Sequence, residues 1–439
     1  MRNALALLFA FAVVASAETT YTRDVARIMQ LKCQQCHRPN DVAPFALMTY
    51  EDTVTYAADI KTSLNNKTMP PWKPVPGFNN FADSFAITDD ERNTILAWID
   101  GGTPQGDMAD MPPALPISDS AWHLGEPDMV LTMPEYTPPV RVTDTYRCFT
   151  LPTGLTENRF ISAMQALPGN PQITHHVLFF LDEVGESEKW EGKDGQPGYD
   201  CFGGSNLTSV VTSADLTGVL TGAVSILHGT LVGGWAPGFR TRRLPEDIGE
   251  PIPKGTRIVM QVHYHPAGRE GSDKTQVGVW FADTAKVKHR LLNLPIANTR
   301  FQIPAGASNY EVTASQFVYP FLAGKVITVA PHMHNLGRQI KVEVEDFGGR
   351  KRPIINIDDW DFNWQGFYTS AEPIDIPSGS SVKVTAIYDN SANNRKNPNN
   401  PIVPVGWGER TTDEMCLAFV GVIFNNEGIL PLPFSAGVK

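Results

Sequence analysis

From about residue 120 onward the chain reads as one short strand after another, and this pattern limits its possible folds more than any other feature. Candidate strands at 177–181, 257–263, 276–281, 325–330, 339–345, 381–388 and 416–424 are rich in Val, Ile and Phe and separated by Gly, Pro and Asn. Such punctuation suits antiparallel β-sandwiches. About 300 residues of it exceed one sandwich of roughly 100 residues, so two jelly-roll-like sandwich domains are expected, at 122–286 and 287–439. No sequence repeat relates the halves. A total of 439 residues allows two or three domains. A hydrophobic share of 42% is enough for real cores. The net charge of −11 argues against a nucleic-acid partner.

The first 120 residues differ. Arg2, the apolar run 5–14 and Ala15-Ser16-Ala17 have the layout of an export signal over 1–17. The apolar run is too short to span a bilayer, and no other stretch is long and apolar enough. The expectation is an exported protein, periplasmic or secreted, with no membrane span in the mature chain. Residues 18–105 read as small and helical. Val25, Ile28 and Met29 follow helical spacing, and a second helix starts at the Thr88/Glu91 capping box, carries Ile95, Trp98 and Ile99, and stops at Gly101-Gly102. Residues 106–121, rich in Pro, Asp and Met, read as a linker.

Cys33-Gln34-Gln35-Cys36-His37 is a C-x-x-C-H motif. Two thiols at this spacing can form thioethers to haem vinyl groups, with the adjacent imidazole as an axial ligand. A zinc site would need a second Cys pair nearby, and a redox dithiol a thioredoxin-like context; neither is present. Met69, in Thr68-Met69-Pro70-Pro71, is the candidate second axial ligand, with Met48 the alternative. Over about 90 residues the layout resembles small class I cytochromes c. That resemblance implies covalent haem c and makes the expected fold a multidomain one, a small all-α cytochrome c domain followed by the two β-sandwich domains.

Of ten histidines, six fall in three pairs: His175-His176, His263-x-His265 and His332-x-His334. Alternate residues of a strand share a face, so an H-x-H can chelate one metal. Adjacent residues face apart, so His175 and His176 can share a metal only where the backbone bends. Spacing alone does not assign three pairs to sites. Imidazole suits Zn, Cu, Fe and Ni, and an added thioether favours Cu(I).

Four ordered segments, Thr174-His-His-Val177, Gln261-Val-His-Tyr264, His332-x-His334-Asn-Leu-Gly337 and Asp413-Glu-Met-Cys416, resemble the copper motifs of the ascorbate-dependent type II copper monooxygenases, the peptidylglycine and dopamine hydroxylase family. Trp235-Ala-Pro-Gly238, 253–257 and Ile303-Pro-Ala-Gly306 resemble its linking segments, and the likeness spans roughly 122–430. It implies two copper ions, one held by His175, His176 and His263 for electron transfer, the other by His332, His334 and Met415 for O2 and C–H chemistry. It also implies a Cys148–Cys201 disulfide and a free Cys416. His265 is either an outer partner of the copper ligands or a surface histidine, while His123, His228 and His289 have no assigned role. The partners implied are O2, a small-molecule substrate and an electron donor, ascorbate or another reductant. Peptide-hydroxylating members carry an Arg where Ala330 stands, and Asn and Tyr where Leu417 and Phe419 stand, so a C-terminal-glycine peptide is not the expected substrate. The expected activity is copper-dependent hydroxylation of an activated C–H bond, the fused haem relaying electrons. The rivals are a non-catalytic copper or haem redox protein and a copper nitrite reductase, which requires a Cys-ligated blue-copper site that these motifs lack.

Overall fold

The protein is described here from a computed structural model covering residues 18–39, 43–82, 84–115, 120–140, 144–202, 204–207, 230–236, 240–265, 268–319 and 322–427. The export-signal expectation at 1–17, His228 and the Pro237-Gly238 half of one linking segment lie outside these residues. The chain divides into two compact units: Met1–Pro71 with Phe85–Ile117, and Trp72–Ser84 with Ser118–Lys439.

In the first unit, Tyr21, Val25, Met29, Leu64, Ile95 and Trp98 form a buried core. The helix Asp89–Asp100 begins where the sequence places it. Thr88 accepts a hydrogen bond from the Glu91 amide at 3.1 Å, and the Glu91 carboxylate accepts one from the Thr88 amide at 2.8 Å.

The expectation of a small all-α cytochrome c domain over 18–105 is overturned. The described residues are mostly β-sheet, 13% of them helical, and among them no small all-α cytochrome c domain is evident. The helices Ala26–Lys32, Tyr50–Thr55 and Ala57–Asn65 have 7, 6 and 9 residues. The physical reason lies in the middle of the segment. Pro70, Pro71, Pro74 and Pro76 lack the amide a helix interior needs. The backbone of 75–82 instead bonds to strands of the β unit, as Val75 N to Asn356 O and Ala82 N to Thr369 O.

The second unit is built on β-sandwiches. Its first sandwich pairs two five-stranded sheets. One runs Tyr199–Asp200, Thr145–Pro152, Arg257–Tyr264, Thr174–Asp182, Thr230–Trp235 across the sheet. The other runs Met129–Thr132, Gln276–Phe281, Arg159–Leu167, Ile248–Ile252, His289–Arg290. Phe149, Phe179, Met260 and Val279 fill the space between them. Each such side chain contributes about 1.5–3 kcal/mol on burial. The second sandwich packs Leu292–Asn298, Cys416–Phe424, Gly324–His332, Tyr368–Ile376 against Tyr310–Phe317, Ser381–Tyr388, Gly337–Glu345, Lys351–Ile357. Val326, Ile340, Val384 and Val420 lie in its core. A further apolar cluster joins residues of both sandwiches, among them Phe180, Val259, Leu417 and Phe419. This seam sets the histidine-bearing strands of the two sandwiches face to face.

Candidate metal centres

His175 and His176 open the strand Thr174–Asp182, and His263 lies near the end of Arg257–Tyr264, opposite His176 in the register. The pairing shifts between Thr174 and His176. That irregularity is the backbone bend two adjacent histidines need in order to converge. His175 Nδ1 lies 3.1 Å from His176 Nδ1, and His263 Nδ1 lies 3.3 Å from the same atom. One ligand atom from each histidine falls within 4.8 Å of the other two.

Asp144 decides how His263 is presented. Its Oδ1 accepts from His263 Nε2 at 2.9 Å, so the Nδ1 lone pair is left pointing into the cluster. Burial would raise the Asp144 carboxyl, but hydrogen bonds from His263, His265 and Thr411 outweigh it and hold it well below the usual carboxylate range. Burial, followed by the neighbouring histidines, pushes His175 and His176 well below the ordinary imidazole value. Neutral imidazoles with lone pairs brought this close fit a shared cation. Tyr146 stacks on His263 at 4.2 Å between ring centroids, and its hydroxyl donates to Glu409 O at 2.7 Å.

The second cluster belongs to the other sandwich. His332 ends the strand Gly324–His332, and His334 follows in the turn before Gly337–Glu345, their rings 5.1 Å apart. His332 Nδ1 meets Gln365 Oε1 at 2.5 Å, and His334 Nδ1 meets Asp413 O at 3.0 Å. Both partners are acceptors, so each ring donates through Nδ1 and keeps the Nε2 lone pair for a ligand. Burial lowers His332 to about 4 and His334 to about 3. Met415 lines the same cleft as both histidines. The neighbouring Glu414 carboxylate accepts from the amides of His334 at 2.8 Å, Leu336 at 2.6 Å and Met415 at 3.2 Å. One buried carboxylate thus ties the H-x-H turn to the methionine, and its burial raises it to about 8.

A cleft of about 860 Å³, counting open solvent space, lies between the clusters. His176 reaches it from one side, His332, His334 and Met415 from the other, and Leu417 and Phe419 supply apolar wall. Ala330 pairs with Phe419 in the register and also faces the cleft. Arg338 is exposed and is not part of its lining.

The 358–367 segment carries residues that no sequence motif singles out. Trp360 Nε1 donates to His334 O at 3.1 Å. Phe362 stacks on His175 at 4.6 Å and meets His334 edge-on at 5.4 Å. Gln365 holds His332. Asp144 and Glu414 are likewise given no role by the sequence reading, although Glu414 lies inside the Asp413–Cys416 motif and Asp144 stands four residues before Cys148.

Cys148 and Cys201 form a disulfide with Cα atoms 5.8 Å apart, and Cys416 is a buried thiol. His265 is partly exposed, 3.4 Å from Asp144 Oδ1, and His289 lies 3.7 Å from Glu427. His123 donates its amide to Gln165. In the first unit, Cys33 caps the C-terminal end of Ala26–Lys32, and the Cys36 amide donates to Cys33 O at 3.1 Å. His37 Nδ1 meets Phe45 O at 3.1 Å, and the His37 ring packs on Phe45 at 4.7 Å. Met69 is partly buried, beyond the helix Ala57–Asn65.

Residues 297–425 match the family model for the C-terminal domain of copper type II ascorbate-dependent monooxygenases. The chain is 23% identical over 204 residues to MOXD1 homolog 1 of Drosophila melanogaster, covering 44% of this chain and 28% of that protein. The family match falls within the second sandwich, and the chain spans less than a third of that relative's length. Among solved structures, the infectious bursal disease virus VP2 subviral particle aligns over 74% of this chain and 77% of its own, at 11% identity and a TM-score of 0.19. PBCV-1 VP54, fitted into the virophage Sputnik, aligns over 68% and 95%, at 7% identity and a TM-score of 0.20. At such scores these two likenesses carry no argument. No described helix is long and apolar enough to cross a membrane.

Proposed function

We propose that this chain is an exported two-copper monooxygenase that hydroxylates an activated C–H bond of a small uncharged substrate. The observation that carries the reading is the facing of a three-histidine cluster and a His-x-His-plus-Met set across one largely apolar cleft. His175, His176 and His263 would hold one copper, and His332, His334 and Met415 the other. Bound copper supplies the reduction of O2 and the attack on the C–H bond. The balance is one RH, one O2, two electrons and two protons giving ROH and water. Asp144 presents the His263 Nδ1 lone pair. Gln365 and the Asp413 carbonyl present Nε2 of His332 and His334. The Met415 thioether is a soft ligand that suits Cu(I).

Ala330, Leu417 and Phe419 offer a substrate no cation and no hydroxyl, and a buried carboxylate without a partner is strongly disfavoured. A peptide ending in glycine is therefore a poor substrate, and a neutral aromatic or aliphatic compound a better one. The electrons come from ascorbate or another reductant. Cys33 and Cys36 would attach a haem covalently, with His37 as one axial ligand, its Nδ1 engaged by Phe45 O and Nε2 left for iron, and Met69 as the other. A donor tethered to the same chain has a high effective concentration. The disulfide and the export-type leader favour a periplasmic or secreted location.

The deciding experiment is copper and haem analysis of the purified protein, followed by O2 uptake with glycine-extended peptides competing against uncharged compounds, scored by product mass. Two coppers and a hydroxylated uncharged product are expected. O2 consumption without organic product would instead indicate a non-catalytic redox protein, and efficient peptide α-hydroxylation would return the chain to the peptide branch. Haem that resists acidified butanone and gives a pyridine haemochrome is expected for thioether attachment; extractable haem would overturn it.

A further inference from the structure

Trp72–Ser84 lies in sequence between two stretches of the first unit, yet belongs to the β unit. It runs across the second sandwich like a strap. Pro74 bridges to Ile357 and Phe81 to Ser370, both antiparallel. Val75 N donates to Asn356 O at 2.8 Å, Ala82 N to Thr369 O at 2.9 Å, and Ala371 N to Asn80 O at 2.8 Å. Asn79 Nδ2 donates to Ile354 O at 3.0 Å and Ser370 Oγ at 3.2 Å. The strap thus joins Lys351–Ile357, the edge of one sheet, to Tyr368–Ile376, the edge of the other. Edge strands carry unpaired backbone groups, and the strap satisfies several of them.

Those two edge strands are the two ends of the 358–367 segment, which reaches His175, His332 and His334 through Phe362, Gln365 and Trp360. The strap grips it at both ends. At the first, Lys73 Nζ lies 2.8 Å from Asp359 Oδ2, with the lysine side chain only 12% exposed. At the second, Trp72 meets Tyr368 edge-on at 5.4 Å and Phe81 at 5.9 Å, while Phe81 lies 5.4 Å from Tyr368. A loop pinned only by its own backbone opens easily, and one clamped at both ends does not.

We infer that Trp72–Ser84 is a positioning strap for the metal centre: it holds the 358–367 segment, and through Gln365 and Trp360 it sets the orientation of His332 and His334. The metal arm of this inference rests on the two-copper reading, whereas the loop arm does not. The test uses the full chain with Trp72→Ala/Lys73→Ala, Lys73→Met and Trp72→Phe. Amide hydrogen exchange is followed in metal-free protein, and Cu(I) affinity is measured by competition with a chelator. In the double variant, exchange in 358–367 is expected to rise about tenfold or more while Ser381–Tyr388 stays protected. Copper at His332, His334 and Met415 is expected to weaken about tenfold, within the range for losing a ligand's outer partner, with a smaller loss at the three-histidine cluster. Lys73→Met should give part of the effect, and Trp72→Phe should restore the wild-type values. Unchanged exchange in 358–367, a uniform rise across the β unit, or unaltered affinity at the His-x-His set would overturn the inference. A wild-type chain that binds no copper would overturn the two-copper reading, and the exchange arm would still decide whether the strap holds the loop.

Discussion

At the three-histidine cluster a carboxylate grips one ring: Asp144 Oδ1 accepts a hydrogen bond from His263 Nε2, and its other oxygen accepts from Thr411 Oγ1 at 2.9 Å. At the His-x-His cluster the grips are neutral, an amide oxygen on His332 and a backbone carbonyl on His334. A carboxylate partner makes an imidazole a stronger donor and favours the more charged metal, whereas neutral partners with a thioether favour the reduced one. The same side chain is therefore tuned in two directions by what stands behind it. On the reading proposed above, the first cluster would serve as an electron store and the second as the reduced site that meets O2. Asp144 and Thr411 also show that the clusters are not mechanically independent, since Thr411 precedes by only a few residues the Asp413–Met415 run that completes the second.

Met415 is where the comparison breaks most severely. Met415→Ala is expected to cut hydroxylation by more than the roughly 100-fold that marks the upper end for losing an outer partner, while the three-histidine copper stays in place. Product mass and copper counting check this; full activity, or loss of both coppers, would show the two sets are not distinct. Asp144→Asn sharpens the contrast from the other side. It is expected to weaken copper at the three-histidine cluster by about 10–100-fold, with a lesser effect on the other site, as read by chelator competition and the Cu(II) EPR spectrum. Equal weakening at both would assign Asp144 to the Thr411 latch rather than to His263. Gln365→Leu removes a neutral grip and is expected to cost nearer the lower end, about tenfold, in affinity at the His-x-His site alone.

The smallest effect is on stability against pH in metal-free protein. His332 and His334 ordinarily titrate at 6.5 but are held by burial at about 4 and about 3. Between these values the unfolded chain takes up protons that the folded clusters refuse. Stability therefore rises with pH through this window and is lost on acidification from about 6.5 toward 4. A melting temperature that falls from near pH 7 to near pH 5 is the expected outcome, and it should fall less in a His332→Gln/His334→Gln variant. A melting temperature that climbs on acidification would contradict the neutral state of these rings.

What the sequence determined by itself is local. Runs rich in Val, Ile and Phe between turn residues place strands at 257–263, 381–388 and 416–424, all within observed strands, because strand propensity and chain breaking are set by neighbouring residues. Thr88 and Glu91 mark a helix start for the same reason, since their reciprocal bonds span three residues. The histidine pairs are legible as pairs, and adjacency alone requires a bend if His175 and His176 are to converge, but whether the chain bends there depends on its pairing with the strand of His263. The helical reading of 18–105 failed where few positions carried the period and where prolines sent the chain to distant strands. Lys73 and Asp359 lie 286 residues apart, and Asp144 and Thr411 lie 267 apart. No periodicity connects such positions. They meet because burying the apolar faces of two sandwiches and the seam between them brings these segments together, and packing, rather than local pattern, then chose which carboxylate, amide and ring stand behind each histidine.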